Sequence, residues 1–170
     1  MGPFYPYYYR SIVSPWSKEY SQDGEFPWTI ALFSRGSFFG GGSLIAPRVV
    51  LTAAHLLLSK TADEIVVRAG EWDMASVDEL RRHEEVDRHE NFEYMTGAND
   101  IAILYLDSPF ALKDHIQPIC LPIQLASSLM CAGGDKNEDA CIGDGGFSLF
   151  CSPDPIIVRF QQVGIVAWGV

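Results

Sequence analysis

The sequence predicts an all-β sandwich or barrel. Short runs of β-branched and aromatic residues recur along it, most are closed by Gly, Pro, Asp or Ser, and no long helical period separates them. In chain order the runs are "WTIALF" (28–33), "RVVLTA" (48–53), "EIVVRA" (64–69), "IAILYL" (101–106) and "IIVRFQQVGIVAW" (156–168). Residues 1–23 are rich in Tyr, Pro and Ser and carry no sustained period, so they read as an extended arm or linker, with the domain running over 24–170. One segment conflicts with this scheme. "SVDELRRHEE" (76–85) has the Ser76/Glu79 spacing of a helix-capping box and good helix formers, but only Leu80 and then Val86 as apolar anchors. It is expected to be a mobile acidic loop.

At 170 residues, 48% of them apolar and 20% charged, the chain suits one globular domain. A net charge of -10 opposes nucleic acid and anionic membrane as partners, since both select basic surfaces. Half of the 22 acidic residues fall between Thr61 and Glu93, which reads as a solvated acidic face. No run reaches the roughly 18 apolar residues of a membrane helix. The N-terminal residues lack the basic start, apolar core and small-residue cleavage site of a secretory signal.

Three stretches carry candidate chemistry. "GGGSLIAPRVVLTAAH" delivers His55 after an apolar strand and a small-residue turn, and "GANDIAILYL" places Asp100 just before another strand. "DACIGDGGFSLFC" (139–151) holds a Gly-Asp-Gly-Gly turn able to aim backbone N–H groups at a developing oxyanion. Acyl transfer needs these types: an imidazole to take a proton, a carboxylate to hold its tautomer, and oriented amides for the tetrahedral intermediate. Singly, each is more simply a structural histidine, a turn or a glycine bend.

Jointly, in this order and flanked by "GEFPW" (24–28) and "GIVAWG" (164–169), the stretches resemble the chymotrypsin and trypsin-like serine protease family over residues 24–170. "VRAGEWDM" and "HIQPICLP" look most like insect clip-domain serine protease homologues of the phenoloxidase-activating-factor type. The resemblance implies a trypsin-like double β-barrel with its site in the cleft between barrels. It implies His55 as general base, Asp100 as its orienting acid, Gly143 and Gly145 as oxyanion donors, and Asp144 as the carboxylate that pairs with a freshly cleaved N-terminus. Asp139, with Trp168 and Gly169, falls where trypsin-like members build the pocket for a substrate arginine or lysine.

The chain departs from that pattern at the nucleophile. The family reads Gly-Asp-Ser-Gly-Gly-Pro-Leu, and here the register from Cys141 to Cys151 puts Gly145 at the serine position. Ser148 lies three residues on, where a strand should begin. Losing the nucleophile of a Ser-His-Asp unit costs on the order of 10^6 in turnover. The position of the family's cleaved terminus is Pro15, and "SIVS" (11–14) is a poor match, so ordering of the turn through Asp144 is not expected to follow the family's route.

By the same resemblance Cys120, Cys131, Cys141 and Cys151 do not pair with one another, since each would bond to a position not found in this sequence. From spacing alone three pairings remain open. The family's disulfide beside the catalytic histidine is missing, its two positions being Gly40 and Leu56. Only seven residues part "PICLP" from "MCAGG", the strand between Arg82 and His89 looks shortened, and the family domain needs roughly 200 to 250 residues. An incomplete second barrel is therefore expected, from an abbreviated product or a pseudo-domain with a different closure.

No cofactor is required by this reading. Zinc at "HEEVDRHE" (His83, Glu84, Asp87, His89) lacks ligand spacing. Calcium after "AGE" is the one metal the resemblance leaves open, with Glu71 and Glu79 or Glu85 as oxygen donors. The expected function is a non-catalytic homologue that binds extracellular proteins, proteases or zymogens of a proteolytic cascade. The competing readings are an active trypsin-like serine endopeptidase and a degenerate fragment without its own function.

Overall fold

The computed structural model describes residues 21–71, 79–122, 143–152 and 160–167. Most of the arm expected at 1–23 lies outside them, as do Asp139, Cys131, Cys141, Trp168 and Gly169. Six antiparallel strands form a closed barrel in the order β1-β2-β3-β6-β5-β4. They are β1 (Thr29–Ser34), β2 (Ser37–Ala46), β3 (Val49–Thr52), β4 (Ile65–Ala69), β5 (Glu79–Arg88) and β6 (Ala102–Leu106). β1 pairs with both β2 and β4, which shuts the ring and leaves no open edge there. β7 (Ser148–Cys151) and β8 (Gln161–Ile165) form a separate antiparallel pair. The architecture is all-β, a complete first barrel beside a second sheet that has two strands among the described residues.

Alternation explains the barrel. Every second residue of a strand faces inward, and Ile30, Leu32, Leu44, Val50, Ile65, Val67, Leu104 and Leu106 meet there, essentially excluded from solvent. Each such side chain contributes roughly 1.5 to 3 kcal/mol by leaving water.

Strand β5 corrects two expectations. Its residues 79–85 are neither a helix nor a mobile loop, and the strand after Arg82 is not shortened but continues to Arg88. Its neighbours decide the matter: β4 and β6 each have a free edge, and β5 satisfies both, Val67 opposite Arg81 and Val86 opposite Leu104. The alternation is present but written in polar residues, with Glu79, Arg81 and His83 turned inward against the more exposed Leu80, Arg82 and Glu84. Tertiary pairing overrides local helix propensity here.

His83 is the polar residue that this strand buries most deeply, and burial pushes its imidazole below the ordinary histidine range. With a folded-state value under the unfolded one, the unfolded chain takes up the proton first as pH falls. Stability attributable to this group is complete above about pH 6.5 and is lost as pH drops below that value toward the folded-state value. Thermal midpoints taken from pH 7.5 to 5.5 should fall in the wild type, and the slope should be shallower in His83→Leu. Parallel slopes would assign the acid sensitivity elsewhere. Glu79, whose carboxyl is held low by its hydrogen bond to Lys113, acts in a separate window below about 4.5.

The second sheet is fastened to the barrel by both polar and aromatic contacts. The buried Ser43 hydroxyl donates to Gln162 Oε1 at 2.6 Å, and the backbone N–H of Gln162 donates to the Cys120 carbonyl at 2.9 Å. Trp28 packs edge-on to Phe150 at 5.0 Å between centroids and meets Phe160 at 5.5 Å, while Phe26 reaches Phe150 at 5.2 Å. "GEFPW" thus supplies two of the rings that join the two units.

Candidate functional site

Antiparallel pairing places the first two functional side chains. Thr52, the last residue of β3, lies opposite Ala102, the first of β6. His55 follows three residues after Thr52, on the short 3-10 turn Ala54–Leu57, and Asp100 precedes Ala102 by two. Both therefore emerge at one end of the barrel. The Asp100 carboxylate grips His55 twice: Oδ1 accepts the backbone N–H of His55 at 2.8 Å, and Oδ2 faces ring Nδ1 at 2.6 Å. The carboxylate is 5% exposed and the imidazole 29%, so the acid is buried while the base opens to the cleft. An acceptor on Nδ1 fixes the proton there and leaves Nε2 to act as a base. Asn99 adopts a left-handed φ of 55°, a conformation asparagine tolerates, and turns the chain so that Asp100 points inward.

Across the cleft stands the Gly143–Gly146 turn. A Cβ built on Gly145 would lie 3.6 Å from His55 Nε2 and 3.7 Å from Cε1. The position that the sequence register assigns to a nucleophile thus faces the imidazole, with no side chain to present. Gly145 is held in place through its carbonyl, which accepts the Gly41 N–H at 2.8 Å, and Gly146 donates its N–H to the Val166 carbonyl at 2.8 Å. Gly143 has φ of 107°, and among the described residues neither its amide nor that of Gly145 donates to a backbone acceptor. The backbone carbonyl of Asp144 closes the turn by accepting the Phe147 N–H at 3.1 Å. Ser148 begins β7, paired with Ile165, three residues past the cleft position.

Several residues that shape this site were not singled out from the sequence. Phe147 lies over Gly41 so closely that any Cβ at Gly41 would enter its ring, and it stacks on Phe38 at 6.4 Å. Thr52 donates its hydroxyl to the Gly41 carbonyl at 2.7 Å. The signal was the run Gly40-Gly41-Gly42 inside what proves to be β2, since consecutive glycines in a strand mark close approach of neighbours. At Gly40 and Leu56, where the resemblance placed a disulfide, a leucine side chain packs against a glycine.

Cys120 and Cys151 are free thiols, half-buried and exposed respectively. They lie on opposite sides of Gln161, one strand away each. Two strand spacings amount to about 9.5 Å between Cα atoms, beyond disulfide range.

Two of the carboxylates proposed for calcium have basic partners. Glu79 receives Lys113 Nζ at 2.7 Å and Arg81 Nη2 at 3.1 Å. Glu71 is buried with the Arg68 guanidinium at 3.7 Å, and Arg68 in turn lies over the Phe33 ring. Glu85 is exposed on β5. Among the described residues no group of three His, Cys, Asp or Glu side chains converges, and residues 72–78, which follow Glu71, lie outside them. His83 is buried while Glu84, Asp87 and His89 are exposed, so the zinc set does not converge either. Lys113→Met should lower stability by about 1 kcal/mol, a figure reduced by the partial exposure of the pair. Equal unfolding midpoints for the wild type and Lys113→Met would overturn the assignment of Glu79 to Lys113.

Comparison with known proteins agrees with this geometry. The chain is 30% identical to phenoloxidase-activating factor 2 of Galleria mellonella, with 86% of this chain and 73% of that protein aligned. It is 28% identical to inactive CLIP domain-containing serine protease A8 of Anopheles gambiae (91% and 60%) and 28% identical to phenoloxidase-activating factor 3 of Holotrichia diomphalia (86% and 62%). It spans less than two thirds of the latter two proteins' length. A family model described as Trypsin matches residues 16–128, which include His55 and Asp100, and with that match the chain belongs to the trypsin family.

Proposed function

We propose that this chain is a non-catalytic trypsin-family homologue whose cleft surface binds another protein, a protease or zymogen, in an extracellular proteolytic cascade. One observation carries the reading: a complete His55–Asp100 pair faces a backbone position, Gly145, that has no hydroxyl to activate. A base without a nucleophile forms no acyl-enzyme. The adaptor role draws on the relatives, three of which bear names beginning "Inactive CLIP domain-containing serine protease". The retained dyad favours one alternative, an active trypsin-like endopeptidase that recruits Ser148.

The purified protein should show no peptide hydrolysis and no labelling by a fluorophosphonate probe. Labelling that disappears in Ser148→Ala would establish the alternative and sink the non-catalytic reading. For the adaptor role, immobilised protein should retain a protease or zymogen from the native extracellular fluid. Retention of neither would remove it.

A further inference from the structure

Leu56, the residue after His55, touches the cleft from below. A Cβ built on Gly40 of β2 would lie 2.6 Å from Leu56 Cδ1 and 3.1 Å from Cδ2, and one built on Gly146 would lie 2.8 Å from Cδ1. One built on Gly145 would stand in ordinary contact with Leu56 Cδ2 at 3.6 Å. A single isobutyl group is therefore the common neighbour of three glycines that belong to two elements, β2 in the first barrel and the turn that leads into β7. At 2.6 and 2.8 Å real Cβ atoms do not occur, so in this rotamer the Leu56 tip occupies volume that a Cβ at residue 40 or 146 would take.

We infer that Leu56 is a positioning residue, whose side chain, seated against Gly40 and Gly146, sets the separation between His55 and the Gly143–Gly146 turn. His55 is already fixed on its other side by the two Asp100 contacts. The turn is tied to β2 by the Gly41-to-Gly145 hydrogen bond, and that carbonyl lies 3.1 Å from the Cβ position of Gly40. Leu56 fills the remaining gap between these two anchored parts. It also explains why the cleft geometry survives with leucine and glycine at the two positions where the family resemblance placed a covalent link: interlocked volume holds β2 and the His55 turn in register without a bond that depends on redox conditions.

The test combines a distance with a thermodynamic cycle. In the wild type the His55 Hε1 and Gly145 Hα protons should give an observable nuclear Overhauser effect, since Cε1 and the Cβ position of Gly145, along whose direction one Hα lies, are 3.7 Å apart. Leu56→Ala should weaken that effect at least about twofold relative to fixed-distance references, and Leu56→Met, which keeps the volume, should restore it. Equilibrium unfolding of Gly40→Ala, Leu56→Ala and the double variant should be non-additive. The new methyl fills the space the isobutyl vacates, so the double variant's folding constant should exceed the product expected from the singles by about tenfold. If Leu56→Ala does not fold, Leu56→Val takes its place in both measurements. An unchanged Overhauser effect in the shortened variant, or losses that simply multiply in the cycle, would overturn the inference. Both readouts are independent of any catalytic activity.

Discussion

Gly145→Ser should give a cleft that is covalently captured by a fluorophosphonate. The backbone at Gly145 is outside the left-handed region that favours glycine, and its built Cβ meets His55 Nε2, His55 Cε1 and Leu56 Cδ2 at 3.6 to 3.7 Å, ordinary contact distances. A serine therefore fits without displacing a neighbour. Its oxygen, one bond beyond that Cβ, can be turned to within hydrogen-bond reach of Nε2, the roughly 2.6 to 3.2 Å that proton transfer needs. Asp100 already holds the imidazole in the tautomer that leaves Nε2 free to accept. Labelling of Gly145→Ser should exceed that of Gly145→Ser/His55→Ala by on the order of 10^3 or more, the scale on which members of such a unit depend on one another. The probe is small and needs no side-chain pocket, so the outcome reports on nucleophile, base and oxyanion donors alone. Equal labelling of the two variants would show that the His55–Gly145 geometry is not a serviceable one.

This expectation rests on residues whose placement could be read from the chain. His55 and Asp100 were legible because each adjoins an apolar run, and pairing of β3 with β6 is the arrangement that brings the ends of those runs together. The glycine that faces His55 was legible as a register count from Cys141 to Cys151. Strand β5 was not, because the inward alternation that marks a strand is carried by Glu79, Arg81 and His83, and polar residues facing a barrel wall look like a solvated loop. Its inward charges become reasonable only once Lys113, 34 positions along from Glu79, is known to meet it. The same holds for β2, where three glycines suppress strand propensity in order to admit Leu56, Phe147 and Val50. In each case the unread information was a long-range partner. A propensity scale has no access to such partners, and a barrel consists largely of them.

The contrast between Gly145 and its neighbour gives the second large effect. Gly146→Ala should be severely destabilising, although it adds one carbon fewer than a serine at Gly145 adds heavy atoms. Gly146 has φ of 87°, where an L-residue pays roughly 1 to 2 kcal/mol. Its Cβ would also run into the Gly41 carbonyl oxygen, Thr52 Oγ1 at 2.6 Å and Leu56 Cδ1 at 2.8 Å. A side-chain tip can rotate away, but the Gly41 carbonyl cannot: it belongs to β2 and accepts the buried Thr52 hydroxyl. Overpacking against fixed backbone adds about 1 to 3 kcal/mol, for a total near 2 to 5 kcal/mol out of the 5 to 15 that a domain typically has. Gly36→Ala separates the two terms. Gly36 has nearly the same φ, 83°, in the β1–β2 turn, yet nothing lies within 4 Å of its Cβ position, so it should show the backbone cost alone. Denaturant unfolding of the two variants should therefore differ by at least about 1 kcal/mol, with Gly146→Ala the weaker. Equal losses would mean that the turn moves off β2 at little cost, and in that case the close seating of Gly146 against Gly41 and Leu56 could not be what holds Gly145 opposite His55.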